Sequence, residues 1–219
     1  MKTTILFDLD GTLIDSTEAI LEGFVTSFRQ NGGEIPNEAK VLEVIGHPLD
    51  IMFKLLNCDE GRVDEYVKSY KEHYRKIATA KTILLPNAKE AVEEAASFAR
   101  VGVVTTKTRA YSIDILEHLG VLSHFETVVG RECVTHPKPH PEPVLLALTR
   151  MECDKENCNK SDIFLIGDTV MDLDAALGAN IDFVGVMGRY GDIKEFQKRC
   201  KVLKNDALGA VRFIKERKV

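Results

Sequence analysis

The sequence contains no apolar run approaching the roughly 20 residues that span a bilayer, no low-complexity tract and no internal repeat. A membrane bundle, a disordered linker and a solenoid are thereby excluded. The N-terminus enters a strand-like run at once, without the pattern of a secretory leader. Cysteine is present without a pattern: Cys58, Cys133, Cys153, Cys158 and Cys200 are odd in number, show no CxxC spacing and have no neighbours suited to a structural metal. They read as free thiols in a reducing compartment, and the expected location is cytoplasmic. Charge of one sign is not gathered anywhere either. The net charge of -5 comes from Asp and Glu scattered along 219 residues, so nucleic acid and anionic membranes are not expected partners, and an anionic ligand must be held by local features.

What is there has ordinary globular composition, with 44% hydrophobic and 29% charged residues, and the length suits one sizeable core plus a smaller appended domain. Short apolar runs at Thr4–Phe7, Val101–Thr105, Thr127–Val129, Ile163–Ile166 and Phe183–Val186 read as buried parallel strands, with a further candidate around Val202. Helical patterns lie between them, including Ala88–Ala99 behind Pro86-Asn87 and Arg109–Leu119 before Gly120. This alternation predicts the α/β class, a parallel sheet flanked by helices. From about Ser16 to Ala80 the alternation stops. That stretch reads as helices near Ser16–Asn31, Asn37–Val44, Ile51–Leu56 and Gly61–Ile77, divided by Gly32-Gly33, Pro36 and Gly46-His47-Pro48. It is expected to be a helical domain, residues 16–80, inserted into a core made of 1–15 and 81–219.

The segment Ile5-Leu6-Phe7-Asp8-Leu9-Asp10-Gly11-Thr12-Leu13 ends a buried strand in two carboxylates two positions apart. In extended chain such residues point to one side, here at the strand end where open α/β sheets bind ligands. Clustered carboxylates can hold a hard divalent cation; alone, this pair would serve equally well to satisfy a turn or cap a helix. A second strand repeats the arrangement in Ile163-Phe164-Leu165-Ile166-Gly167-Asp168-Thr169-Val170-Met171-Asp172. If a helix starts near Thr169, Asp172 lies one turn beyond Asp168, near the helix's positive end, whereas Asp174 is out of phase. Asp168 alone could equally be a simple N-cap.

The strand Val101–Thr105 closes on Thr105 and Thr106, whose hydroxyls beside helix N–H groups can hold a phosphate oxygen. Lys138 lies in His136-Pro137-Lys138-Pro139-His140-Pro141-Glu142-Pro143, where alternating prolines hold the loop extended. A lysine on a stiffened loop can be aimed; in isolation it would read as an ordinary solvated lysine.

Together these four segments resemble the haloacid dehalogenase superfamily of phosphohydrolases. Asp8-Leu9-Asp10-Gly11-Thr12 is similar to its first motif, Thr105 to its second, Lys138 among its prolines to its third, and Gly167-Asp168-Thr169 with Asp172 to its fourth. Ile45-Gly46-His47-Pro48-Leu49 and Val104-Thr105-Thr106-Lys107 look most like the phosphoglycolate phosphatase-like branch, which often has Asn where Thr106 stands. The resemblance covers essentially the whole chain. It implies a Rossmann-like doubly wound parallel sheet core with an all-helical cap of the first type.

The same resemblance implies Mg²⁺ as cofactor, held by Asp8, Asp168, the backbone carbonyl of Asp10, and Asp172 either directly or through water. It makes Asp8 the nucleophile that forms an aspartyl-phosphate and Asp10 the acid and base. Thr105 and Lys138 would hold phosphoryl oxygens, with Thr106 beside them, and Lys138 would neutralise developing charge. Cap opening is expected to hinge near Leu13–Ser16 and Thr79–Pro86, with Gly46, His47 and Arg75 as candidates for substrate selection. The expected partner is a small phosphorylated metabolite, with 2-phosphoglycolate the first candidate and pyrophosphate and nucleoside monophosphates its rivals; the chain is expected to be a monomer or homodimer. A sugar phosphomutase would share the intermediate. A dehalogenase would not need Asp10 as acid and base, and a non-catalytic phospho-ligand binder would not need every catalytic position filled.

Overall fold

The computed structural model describes residues 3–153 and 160–217; Cys158 lies outside them. In chain order the elements are β1 Thr3–Phe7, β2 Ile14–Asp15, α1 Thr17–Asn31, α2 Glu38–Val44, α3 Leu49–Leu55, α4 Val63–Ile77, β3 Ile83–Leu84, α5 Ala88–Phe98 and β4 Ala99–Val104. There follow α6 Arg109–His118, β5 Thr127–Val129, α7 Glu142–Arg150, β6 Ile163–Gly167, α8 Val170–Ala179, β7 Asp182–Val186, α9 Ile193–Arg199, β8 Leu203–Lys204 and α10 Ala207–Glu216. The expected α/β class holds.

Six strands form one parallel sheet in the order β5-β4-β1-β6-β7-β8. The first strand is therefore central. The chain adds strands on one side through β4 and β5, then returns across β1 to β6, a reversal that opens a crevice at the carboxyl ends of β1, β4 and β6. Both faces are covered, which is why these strands read as continuous apolar runs rather than alternating ones. Ile5 and Phe7 of β1 pack with Ala91, Val92 and Ala95 of α5 and Val211 of α10. Leu6, one residue out of phase, packs instead with Val144 and Leu148 of α7 and Ala176 of α8.

Between β1 and α5 the chain leaves the sheet for four helices. Phe24 and Phe28 of α1, Phe53 of α3, and Tyr66, Tyr70 and Tyr74 of α4 are all buried. The tyrosines recur every four residues, so they share a helix face. Ring centroids lie 4.8 Å apart for Phe24 and Phe53, 5.1 Å for Phe28 and Tyr66, and 5.3 Å for the stacked Tyr70 and Tyr74. Burying a Phe side chain contributes roughly 1.5–3 kcal/mol, so this aromatic stack is the main support of the helical region.

The chain's departure and return run side by side. Ile14 pairs with Leu84 and Asp15 with Ile83 as an antiparallel ladder, extended by the Leu85 N–H donating to the Leu13 carbonyl at 2.9 Å. Strands of two residues carry no periodicity, and the sequence pattern does not announce them. Helix α3 starts at Leu49, two residues before the expected Ile51, because Pro48 occupies its N-cap.

Candidate active site

Strand β1 delivers Asp8 to the carboxyl edge of the sheet, where the Asp8 N–H still donates to the Ile166 carbonyl at 2.8 Å. Beyond it the chain folds over itself. The Leu13 and Ile14 N–H groups both donate to the Leu9 carbonyl, at 2.9 and 3.0 Å, and Gly11 takes φ +83°, a left-handed conformation that favours glycine. Because regular strand ends at Phe7, the two-residue alternation no longer holds past Asp8. The carboxylates of Asp8 and Asp10 consequently part company.

Asp8 joins Asp168 and Asp172. One carboxylate oxygen from each lies within 4.8 Å of the others, and all three residues are buried. Lys138 reaches this cluster from the proline-stiffened loop: its Nζ donates to Asp8 Oδ1 at 2.6 Å, Asp172 Oδ1 at 2.5 Å and the Val104 carbonyl at 3.0 Å. Its side chain is 3% exposed, so it is not the solvated lysine that the loop alone would suggest. Asp172, near the start of α8, also accepts from the Thr169 N–H at 3.1 Å and hydroxyl at 2.6 Å through Oδ2. The helix is capped by Thr169 rather than Asp168, which leaves Asp168 free for other work.

Asp168 Oδ1 accepts from the Thr12 hydroxyl at 2.9 Å. Its Oδ2 is buried and has no hydrogen-bond partner. Such an oxygen is costly unless something outside the protein satisfies it. Two glycines leave room around it: a Cβ on Gly11 would stand 2.2 Å from Asp168 Oδ2, and one on Gly188 would stand 2.1 Å away. Three buried carboxylates with an uncommitted oxygen among them form an all-oxygen donor set of the kind hard divalent cations take.

The electrostatics follow from this crowding. Burial, followed by the charge of Asp172, pushes the Asp8 carboxyl up to about 7 despite the opposing pull of Lys138. Burial and then the charges of Asp8 and Asp172 hold Asp168 well above the usual carboxylate range. For Lys138 burial favours the neutral amine, but Asp172 and Asp8 together outweigh it and raise its pKa. With all groups ionised, one lysine faces three carboxylates, so the cluster is short of positive charge.

Asp10 faces the other way, into a cavity of about 440 Å³ between the sheet edge and the helices, lined among others by Gly46, His47, Tyr74, Thr106 and Lys107. It accepts from the Ser16 hydroxyl, and Lys107 Nζ stands 3.1 Å from its Oδ2. The same ammonium donates to the Tyr74 hydroxyl of α4 at 2.8 Å. Burial opposes the charge of Lys107, but Asp10 and Tyr74 more than offset this and raise its pKa.

Thr105 is buried beside the cluster, its N–H donating to the Val129 carbonyl and its hydroxyl accepting from the Lys107 N–H at 3.1 Å. Arg75 does not join this cavity. It is exposed on α4 and lines a separate shallow groove with Lys71 and Glu72. Sequence reasoning assigned no role to Thr12, Tyr74 or Lys107, and it named Ser16 only as an end of the expected hinge. Thr12 and Lys107 fall inside quoted motifs, and a polar residue flanking a catalytic motif is the signal that could have found them; Ser16 and Tyr74 carry none.

The fold and cluster define a class: an α/β protein whose acidic, lysine-compensated centre sits at the topological switch point of a parallel sheet. The sequence profile of the haloacid dehalogenase-like hydrolases matches residues 5–186. The pyrophosphatase PpaX of Bacillus velezensis is 35% identical over 191 residues, 84% of this chain and 82% of that protein. The phosphoglycolate phosphatase of Nitrosococcus oceani is 29% identical over 204 residues, covering 88% of each. A haloacid dehalogenase-like protein from Bacteroides fragilis superposes with a TM-score of 0.85 at 26% identity, covering 95% of this chain and 99% of that one. The chain belongs to the haloacid dehalogenase-like hydrolases. Among the described residues no helix is long and apolar enough to cross a membrane.

Proposed function

We propose that this protein is a Mg²⁺-dependent phosphatase that hydrolyses a small phosphate ester through an aspartyl-phosphate on Asp8. The observation that carries the reading is the unpartnered, buried Asp168 Oδ2 inside a carboxylate cluster that holds one lysine. Asp8, Asp168 and the backbone carbonyl of Asp10 would hold the cation, with Asp172 binding directly or through water. Bound there, Mg²⁺ would supply positive charge against the phosphoryl oxygens and keep Asp8 ionised.

A dianionic ester repels a carboxylate, and Lys138 meets that repulsion at the attacking group itself. An Asp8 carboxylate oxygen attacks phosphorus; the new P–O bond forms as the bond to the leaving oxygen breaks, and Asp10 gives that oxygen a proton. Lys138 and the Thr105 hydroxyl hold the phosphoryl oxygens, with Thr106 beside them. Water then attacks the same phosphorus, Asp10 takes its proton, and the P–O bond to Asp8 breaks. Two carboxylates of one short segment thus divide the labour by direction, Asp8 toward the cluster and Asp10 toward the cavity. Lys107 keeps Asp10 in place and links it to α4.

The cavity above Asp10 is where the leaving group would lie, and Gly46 and His47 on its wall would take part in selecting it; the ladder of β2 and β3 is the natural hinge for opening it. The cavity lining mixes basic Lys71, Lys107 and Arg131 with acidic Asp10, Asp50, Asp64 and Glu132, so it suits a small polar leaving group and its charge alone does not select one. The likeness to the phosphoglycolate phosphatase of Nitrosococcus oceani makes 2-phosphoglycolate our first candidate. The 35% identical PpaX favours pyrophosphate as the second reading. Phosphate release from 2-phosphoglycolate, pyrophosphate, nucleoside monophosphates and hexose phosphates, with and without Mg²⁺, tests the proposal. Strong Mg²⁺-dependent release from one compound of this panel is expected, 2-phosphoglycolate first and pyrophosphate second. Redistribution of phosphate between sugar positions without release would replace it with a mutase.

A further inference from the structure

The outer side of the loop that carries Lys138 takes no part in this chemistry. Lys138 turns into the carboxylate cluster, while His136 and His140, two residues to either side, are exposed. Their rings lie side by side, with centroids 4.8 Å apart. Glu142, on the first turn of α7, completes a group in which one ligand atom from each of His136, His140 and Glu142 lies within 4.8 Å of the other two. We propose that these three side chains form a second metal site, selective for a zinc-type transition-metal ion, which braces the loop behind Lys138.

The donor chemistry separates this site from the first. Two imidazoles and one carboxylate suit Zn²⁺, Ni²⁺ or Cu²⁺ far better than Mg²⁺, which prefers oxygen throughout. Three protein ligands leave a coordination position for water. Part of the site is preset. Glu142 is oriented by accepting from the Thr135 N–H at 2.8 Å and the His136 N–H at 2.9 Å, and its Oε2 already faces His136 Nδ1 at 2.9 Å. A metal would take the place of the proton between those two atoms. His140 Nδ1 accepts from the Glu142 N–H at 3.1 Å, a bond at the exposed start of α7 that a metal would replace by taking the same lone pair. Pro137, Pro139 and Pro141 restrict the intervening backbone, which lowers the entropy lost on binding. The rings open onto a groove that is also lined by His47 and Pro48 of the helical region.

The test is calorimetric titration of the tag-free full chain with Zn²⁺ in saturating Mg²⁺, on wild type, His136→Ala, His140→Ala and Asp168→Asn. The histidines are exposed, so their removal leaves the fold intact. Glu142 is left alone because it also holds two backbone N–H groups. One equivalent of Zn²⁺ is expected, bound at least tenfold more weakly by each histidine variant and unchanged by Asp168→Asn. Zn²⁺ should also raise the melting temperature of wild type and not of His140→Ala. No saturable binding by wild type, or binding that survives both histidine substitutions, would overturn the proposal. Loss of binding in Asp168→Asn alone would do so too, by placing the zinc in the carboxylate cluster.

Discussion

Two lysines, Lys138 buried and Lys107 partly so, stand on either side of the site and are held in opposite ways. Lys138 is fixed by Asp8, Asp172 and the Val104 carbonyl, all belonging to strand ends or to the helix that follows one. Lys107 is fixed between Asp10 and Tyr74, a residue of the helical insertion. The first lysine therefore reads the state of the core cluster, and the second reads whether the helices lie against the core. In our account chemistry is confined to the rigid sheet edge, and Lys107 is the contact through which the helical region positions the acid and base.

The largest effect should come from the core side. Asp8→Asn removes the attacking oxygen, and phosphate release should fall on the order of 10⁴-fold or more; near wild-type release by highly purified variant would break the assignment. Next comes Gly188→Ala, whose Cβ would stand 2.1 Å from Asp168 Oδ2. Displacing that carboxylate should raise the Mg²⁺ concentration needed for half-maximal activity about 10- to 100-fold, with little change at a solvent-facing control position.

The two lysines give the direct comparison. Lys138→Met leaves buried carboxylates uncompensated and should cost about 3–5 kcal/mol in urea unfolding without Mg²⁺, a loss that Mg²⁺ should partly restore. Lys107→Met should leave unfolding closer to wild type. It should lower kcat roughly 10- to 100-fold by loosening Asp10 and shift the pH profile of kcat, which a purely structural role would not. Equal effects of the two substitutions on stability and on kcat would erase the distinction between the two sides.

The smallest effect is on stability against pH without metal. The Asp8 carboxyl, ordinarily near 3.8, sits at about 7 in the fold. Between those values the native state holds a proton that the unfolded state has released, so this group's contribution falls as pH rises through the window. His47, whose pKa burial lowers, contributes the opposite slope. The reading is therefore the difference between wild type and Asp8→Asn in urea titrations from pH 5 to 7. Wild type should lose stability relative to the variant as pH rises, and Mg²⁺ should abolish the difference.

The core was legible because each of its signals is local. Buried strands on a sheet covered on both faces read as apolar runs, and Asp8, Asp168 and Asp172 follow them within a few residues. Lys138 was legible from its prolines, although its burial was not. The direction of Asp10 was hidden, because it depends on the strand ending at Phe7 and on the fold-back through Gly11. Tyr74 was hidden for another reason: its partner Lys107 is 33 residues away, and a tyrosine every fourth residue on α4 signals packing before it signals function. Arg75 beside it was the more chemical choice from sequence, yet one residue along a helix turns a side chain by about 100°, and it faces away from the cavity.

The central claim is covalent capture of phosphate by Asp8. Rapid acid quench during turnover with a ³²P-labelled substrate chosen from the release panel, followed by peptide mapping, tests it most directly. The account predicts a transient, alkali-labile label on the peptide that contains Asp8, absent in Asp8→Asn. Turnover with no enzyme-bound phosphate, together with an active Asp8→Asn enzyme, would contradict it.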